Sequence, residues 1–385
     1  MNRFWKVLSY IIVALVAVAL TFPFAASLVS DQPNSKLEQV ESLITERFIG
    51  EADKTRMEDA AAAAMVDSLG DRWSYYIPAD EYAVYMEQMN NAYVGIGVTI
   101  TVMEDNSGFE IMEVTPGSSA EEAGLRVGDV IIAIEGQSTA GMTTTEGRDL
   151  VRGDEGTTVK LLLDRAGERI ELDVERRKVM VPVATWQLLD GNIGLITIEN
   201  FDARCAKETI AAIEAVMAEG ADKLIFDVRN NPGGYASELV DLLDYLLPEG
   251  PLFRTVDYTG RESVDSSDAK CLDVPMVVLV NGDSYSAAEF FAVALKEYDA
   301  AVVVGEQTVG KGYFQQTYQM SDGSAVGLSV GEYFTPRGNN LAGVGITPDV
   351  IVSVDDETAV AIYYNWLEPM EDPQIQAAVE VLKNS

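Results

Sequence analysis

The chain has 385 residues, long enough for two or three domains and at least one large core. Its 27 Lys and Arg against 62 Asp and Glu give a formal net charge of −35. That charge repels nucleic-acid phosphates and anionic lipid surfaces, so no nucleic-acid partner is expected. There is no histidine, which removes a Ser-His-Asp triad and leaves lysine or a carboxylate as base for any nucleophilic serine. The two cysteines, Cys205 and Cys271, have flanks that suggest neither a metal site nor a redox pair and read as small, buried or half-buried residues. No metal cluster or nucleotide loop is legible, and no cofactor is expected.

Residues 1–30 form a targeting segment. Arg3 and Lys6 precede a run from Val7 to Val29 broken only by Ser9, Thr21, Pro23 and Ser27. Its length approaches the roughly 20 residues that span a bilayer, whereas Pro23, Ala25 and Ser27 suit a signal-peptidase site. Membrane anchor and cleaved signal peptide both stay open. Positive charge before the run and acidic residues such as Asp31 and Glu38 after it put the remainder outside the cytoplasm, on the periplasmic or extracellular face.

Residues 31–91 read as a helical N-terminal region. Apolar residues recur at helical spacing over Lys36 to Phe48 and Met57 to Leu69, and helical arms of this kind suggest a homodimer. From 92 to 178 the texture changes to short β-type runs punctuated by glycine, with a turn at Pro116-Gly117 leading into a short helix and a second helix over Thr144 to Arg152. Residues 179–385 alternate strands and helices: a strand before Phe201, a helix over Ala206 to Glu219, a buried strand over Lys223 to Val228, a hairpin within Leu252 to Asp273, strands over Tyr313 to Tyr318 and Ala325 to Phe334, and a closing helix after Asp372-Pro373.

Asn281 to Gln316 is the stretch the rest serves. The apolar run Met276 to Val280 ends in Asn281-Gly282-Asp283, and Ser286 then opens an apolar helix. A serine at that turn meets unpaired backbone N–H groups and the positive end of a helix dipole, which suits a developing oxyanion. Lys311, between Gly310 and Gly312 beyond a second apolar run, is the candidate base. It needs burial to lower its pKa towards neutrality.

These segments resemble the carboxyl-terminal processing, or tail-specific, proteases. The family pattern Ser-Ala-Ser-Ala-Ser-Glu appears as Ser284-Tyr285-Ser286-Ala287-Ala288-Glu289, and Gly-Lys-Gly-x-x-Gln as Gly310-Lys311-Gly312-Tyr313-Phe314-Gln315. The resemblance implies Ser286 as nucleophile, Lys311 as base and Gln315 as the group that orients the lysine. Asp227-Val228-Arg229-Asn230-Asn231-Pro232-Gly233-Gly234 matches a further family motif, which implies an oxyanion hole of Ala287 N–H with that of Gly233 or Gly234. Tyr285 and Ala288 depart from the pattern, and Glu297, at a position where some members carry an acidic residue, reads as structural.

The middle region resembles a PDZ domain through Gly95-Ile96-Gly97-Val98, Pro116-Gly117-Ser118-Ser119-Ala120 and Ala123-Gly124-Leu125-Arg126-Val127-Gly128-Asp129. In that fold residues 95–98 capture a peptide's C-terminal carboxylate. The implied architecture is α/β: a ClpP/crotonase-like protease core with an inserted PDZ domain and a helical arm. The implied function is a serine endopeptidase acting through a Ser-Lys dyad on the C-terminal tails of extracytoplasmic proteins, its partners being protein or peptide substrates. The competing reading is a catalytically inactive, membrane-tethered PDZ scaffold. Hinges are expected at Asn90-Asn91 and at Arg176 to Lys178.

Overall fold

The computed structural model describes residues 35–384, so the apolar segment read as anchor or signal peptide lies outside the described residues. The chain divides into two compact units between Tyr76 and Ile77.

The first unit is built on two helices, α1 (Lys36–Arg47) and α2 (Lys54–Asp67). Ser35 caps α1 in a reciprocal box, its hydroxyl accepting from Glu38 N at 3.1 Å while Glu38 Oε2 accepts from Ser35 N at 3.0 Å. Asp53 caps α2 through Arg56 N. No residue of α1 is buried, and Leu37, Val40 and Leu43 expose about half of their surface along one stripe. A short strand, β1 (Tyr75–Ile77), marks the junction between the units.

The second unit starts with α3 (Ala79–Met89) and then enters a five-stranded antiparallel path in the order β3 (Val98–Val102), β4 (Phe109–Val114), β5 (Val130–Ile134), β7 (Thr158–Arg165), β8 (Glu168–Glu175). The two-residue strand β6 (Gln137–Ser138) returns on β5. Alternating apolar residues, among them Phe109, Ile111, Ile131, Leu161 and Leu163, are fully buried beneath α4 (Ser119–Glu122) and α5 (Thr144–Val151). Strand β3 is an edge, leaving one row of backbone groups unpaired by the sheet.

This module joins the rest through a two-stranded neck, β2 (Ala92–Gly95) against β9 (Arg177–Met180). The outgoing and returning chains meet where Val181 N donates to Asn91 O at 2.8 Å and the Arg204 guanidinium reaches both Asn91 O and Val181 O. At 90–91 and 176–178, where hinges are expected, Asn91 and Arg176 are bonded into the structure rather than solvated. Asn91 is buried and bonded to Asn200 and to Ala203 O. Arg176 is buried with its guanidinium on the carbonyls of Val151 and Thr158, and Arg177 and Lys178 belong to β9. Local polarity carried no information about these long-range partners.

The core is a six-stranded sheet in the order β10 (Ala184–Leu189), β11 (Ile193–Ile198), β12 (Lys223–Asp227), β15 (Met276–Val280), β16 (Ala301–Gly305), β19 (Val350–Ile351). All neighbours run parallel except β10. Parallel strands covered on both faces read as continuous apolar runs, and β15 is buried at every position. One face packs on α6 (Cys205–Ala218), α7 (Ala236–Leu246) and α8 (Ala287–Glu297), the other on α10 (Pro373–Lys383). Helix α9 (Asp356–Tyr363) precedes α10. The hairpin β13 (Gly250–Asp257) and β14 (Glu262–Ser267) pairs with β18 (Ala325–Phe334), which also pairs with β17 (Tyr313–Gln319). Phe253, Phe290 and Tyr333 fasten this layer to α8 by ring contacts of 4.7–5.3 Å. Cys205 is buried as expected, but Cys271 is exposed, because it lies in the loop after β14; both are free thiols.

Candidate active site

Strands β15 and β16 are parallel neighbours, so the loops leaving their C-terminal ends emerge side by side. Ser286 lies on the first and Lys311 on the second. The β15 loop is sewn to the loop after β12. Asn281 and Asn230 clasp each other, Asn281 Oδ1 accepting from Asn230 N at 2.9 Å and Asn281 Nδ2 donating to Asn230 Oδ1 at 2.8 Å. Ser284 Oγ, fully buried, donates to Val228 O, and Tyr285 N donates to Asn231 O. Ser286 follows with φ 57° and ψ −125°, a strained conformation for a residue with a Cβ, held between these bonds and the start of α8.

Ala287 is the first residue of α8, where N–H groups have no intrahelical partner. The Gly233-Gly234 turn packs directly against it. A Cβ on Gly233, at φ 88°, would stand 2.8 Å from both Ala287 N and the Ser286 Cβ. One on Gly234 would collide with the Phe201–Asp202 backbone, to which the turn is bridged through Phe201 N to Gly233 O and Tyr235 N to Phe201 O. Gly233 N–H already donates to Asn231 Oδ1 at 2.8 Å, whereas the Gly234 N–H has no hydrogen bond among the described residues.

Glu289 joins the two loops. Its carboxylate is fully buried and accepts four bonds: Ser286 N at 3.0 Å and Lys311 N at 2.8 Å on Oε2, Gly310 N at 2.7 Å and Thr308 Oγ1 at 2.5 Å on Oε1. A buried carboxylate is tolerated only when so satisfied. Lys311 is half-buried, with Nζ 5.8 Å from the centre of the Tyr285 ring. Gln315, at the start of β17, turns its amide nitrogen to Tyr313 O and Ser329 Oγ. Glu297 closes α8 and gathers Thr335 Oγ1, Arg337 N and Asn339 Nδ2, so it shapes the 335–339 loop.

Behind the glycine turn, Arg229 is buried between Asp227 and Asp372, with Nη2 to Asp227 Oδ2 at 2.5 Å and Nη1 to Asp372 Oδ2 at 2.7 Å. Burial opposes its charge, but the two carboxylates outweigh this and hold it protonated well above the usual arginine range. Next to Pro232, a cleft of about 470 Å³ runs between α3, β2 and α5 on one side and Asn200, Asp202 and Pro232 on the other. Glu87 and Arg152, both on the first side, pair at 3.3 Å. Asp202, on its wall, has its pKa pushed up to about 7 by burial and then by the charge of Glu238. In the 95–98 loop, Ile96 O accepts from Ala120 N in α4 and Gly97 O from Thr115 N just after β4, at 2.9 Å each. Among the described residues, no group of three or more Cys, Asp or Glu is arranged to hold a metal ion, and no helix is long and apolar enough to cross a membrane.

The geometry thus gathers Ser286, Ala287, Gly233, Gly234 and the Lys311 backbone at one edge of the sheet, with residues 95–98 in a separate module. Sequence reasoning gave no role to Glu289, although its Ser-x-x-Glu spacing from Ser286 is that of a capping box and it is a lone acid in an apolar run. It also missed the Asn230–Asn281 clasp and the Arg229–Asp372 pair, which have no sequence periodicity.

The strained Ser286 stands at the head of a buried helix on a mixed α/β sheet, and the comparisons put the chain among serine-type proteases. Residues 192–352 match the model of peptidase family S41, and residues 110–165 that of a PDZ domain. The chain is 34% identical to the carboxy-terminal processing protease CtpA of Bacillus subtilis, covering 85% of this chain and 69% of that protein. It is 32% identical to the carboxyl-terminal-processing protease of a Synechocystis species, covering 88% and 80%. A Bacteroides fragilis protein solved as a candidate S41 protease superposes with a TM-score of 0.57 at 18% identity, over 92% of this chain and 98% of that one, a likeness of fold. The chain belongs to the carboxyl-terminal processing proteases of peptidase family S41.

Proposed function

We propose that the protein is a serine endopeptidase that recognises the C-terminal tails of extracytoplasmic proteins and cleaves within them by a Ser286–Lys311 dyad. Lys311, as the neutral amine, takes the Ser286 Oγ proton while Oγ attacks the scissile carbonyl; as the ammonium it then returns a proton to the leaving amine. Water repeats the exchange to release the acyl group. Ala287 N–H supplies one oxyanion donor and the glycine turn the other. Of the two glycines, Gly234 has the N–H not already spent on Asn231. Gln315 orients the lysine. The observation that carries this reading is the shared acceptor: Ser286 N and Lys311 N bond the same oxygen of Glu289, which keeps nucleophile and base loops in one register.

Residues 92–178 act as the PDZ module, with Gly95, Ile96, Gly97 and Val98 as the carboxylate-binding loop and β3 as the edge on which the tail adds a strand. With the loop's carbonyls engaged by residues 115 and 120, its N–H groups are what it offers a carboxylate. The segment before residue 31 delivers the protein across a membrane as anchor or signal peptide. The exposed stripe of α1 pairs with a second copy; a Leu43→Glu variant that sediments like wild type refutes that pairing.

The test is proteolysis of an unfolded protein by wild type and by Ser286→Ala, with a serine-directed phosphonate probe as second readout. Cleavage and labelling at Ser286 are expected of wild type alone. A wild type that neither cleaves nor labels favours the inactive scaffold, and undiminished cleavage by Ser286→Ala removes Ser286 as the nucleophile.

A further inference from the structure

We infer that Asp372 is a positioning residue of the reaction, holding the 230–234 loop through Arg229. This rests on the catalytic reading above, in which that loop borders the reacting carbonyl. Asp372 is 3% exposed and divides its two oxygens between two tasks. Oδ1 caps α10, accepting from Gln374 N at 2.8 Å and Ile375 N at 3.3 Å. Oδ2 accepts from Arg229 Nη1 at 2.7 Å, and Gln374 Oε1 accepts from the same nitrogen at 2.9 Å. A helix cap needs one acceptor, so the second oxygen is free to serve the loop.

Arg229 sits one residue before the segment that reaches the nucleophile. Asn230 is clasped by Asn281, Asn231 bonds Ile198 O and Gly233 N, and Gly233 lies against Ser286 and Ala287. Arg229, Asp227 and Asp372 line a hollow of about 520 Å³ that also takes in Glu199 and Asn230, and the guanidinium is held there by its two ion pairs. Asp227 comes from the same strand end as Arg229 and moves with it. Asp372, which caps α10, and Gln374, in its first turn, bond Arg229 directly and tie the loop to the body of the fold. A shift of about 1 Å in a positioning group costs on the order of 10²-fold in rate.

Asp372→Asn separates the tasks: the amide oxygen still caps α10, while the anionic link to Arg229 is lost. On a short peptide substrate, kcat is expected to fall tenfold or more with KM within twofold. Inhibition by a peptide boronic acid, which forms a tetrahedral adduct on serine, weakens by a similar factor, while an unreactive competing peptide binds as before. Val379→Ala, which loosens α10 packing away from Arg229, lowers the melting temperature and keeps kcat within twofold. Should Asp372→Asn not accumulate as folded protein, Gln374→Met carries the test, with a kcat loss of at least threefold at unchanged KM. An Asp372→Asn or Gln374→Met enzyme with wild-type kcat overturns the inference, as does a kcat loss in Val379→Ala that tracks melting temperature along with the others. Ser286→Ala, run alongside, separates this failure from that of the catalytic reading: if it retains turnover, the dyad is wrong rather than Asp372.

Discussion

The backbone N–H groups of Ser286 and Lys311 donate to one and the same oxygen, Glu289 Oε2, at 3.0 and 2.8 Å. A single buried carboxylate thus fixes where the nucleophile's turn stands relative to the lysine's. Glutamine at 289 keeps the size but offers one acceptor oxygen to four donors and turns an N–H₂ group towards the others. Glu289→Gln is expected to fold, as judged by circular dichroism, with kcat reduced on the order of 10²-fold through misplacement. Wild-type kcat in that variant contradicts the shared-acceptor account.

Gly233→Ala tests the contact between the glycine turn and the nucleophile. The added methyl would stand 2.8 Å from the Ser286 Cβ and from Ala287 N, and φ 88° costs an alanine about 1–2 kcal/mol. Turnover is expected to drop on the order of 10²-fold, the size of a lost oxyanion donor, with little change in the affinity of a substrate tail. Steady-state kinetics on a short peptide and direct binding of the tail make the comparison; equal turnover removes the turn from the site.

Much of this was legible in the sequence because tight turns between strand and helix impose local patterns. Ser286 at a strand-to-helix turn, Lys311 between glycines and the Asn-Pro-Gly-Gly turn each announce themselves in a few residues, and β15 and β16 as apolar runs put the loops side by side. What was not legible are the bonds between distant segments. Arg204 holding Asn91 and Val181, and Asp372 reaching Arg229, leave no periodic trace. Arg176 to Lys178 looked like a hinge because charged residues normally face water, yet Arg176 is sunk on backbone carbonyls and Arg177 lies in a paired strand.

Asp202 sets a pH dependence of stability. Its pKa is about 7 in the folded protein, against an ordinary value of 3.8 when unfolded, through burial and Glu238. The folded state therefore holds the proton more tightly, and stability falls as pH rises from about 4 to 7 and levels above that. Asp202→Asn removes the penalty. Thermal melts should show it stabilised at pH 8 by on the order of 2 kcal/mol, and little changed near pH 4. The same stabilisation at both pH values refutes the assignment.

Tail recognition is tested by the substrate's terminus. If the 95–98 loop holds a free carboxylate, amidating the C-terminus of a model substrate should raise KM about tenfold or more, with kcat little altered, since a charge-assisted bond is worth about 1.5–3 kcal/mol. Equal KM values for acid and amide remove the carboxylate from recognition.

The most direct measurement of the central claim is kcat/KM for Lys311→Arg on a short peptide. Arginine keeps a long basic side chain but stays protonated, so it cannot take the Ser286 proton. The account predicts a loss on the order of 10³-fold or more in a variant that remains folded; activity within tenfold of wild type would contradict Lys311 as the base.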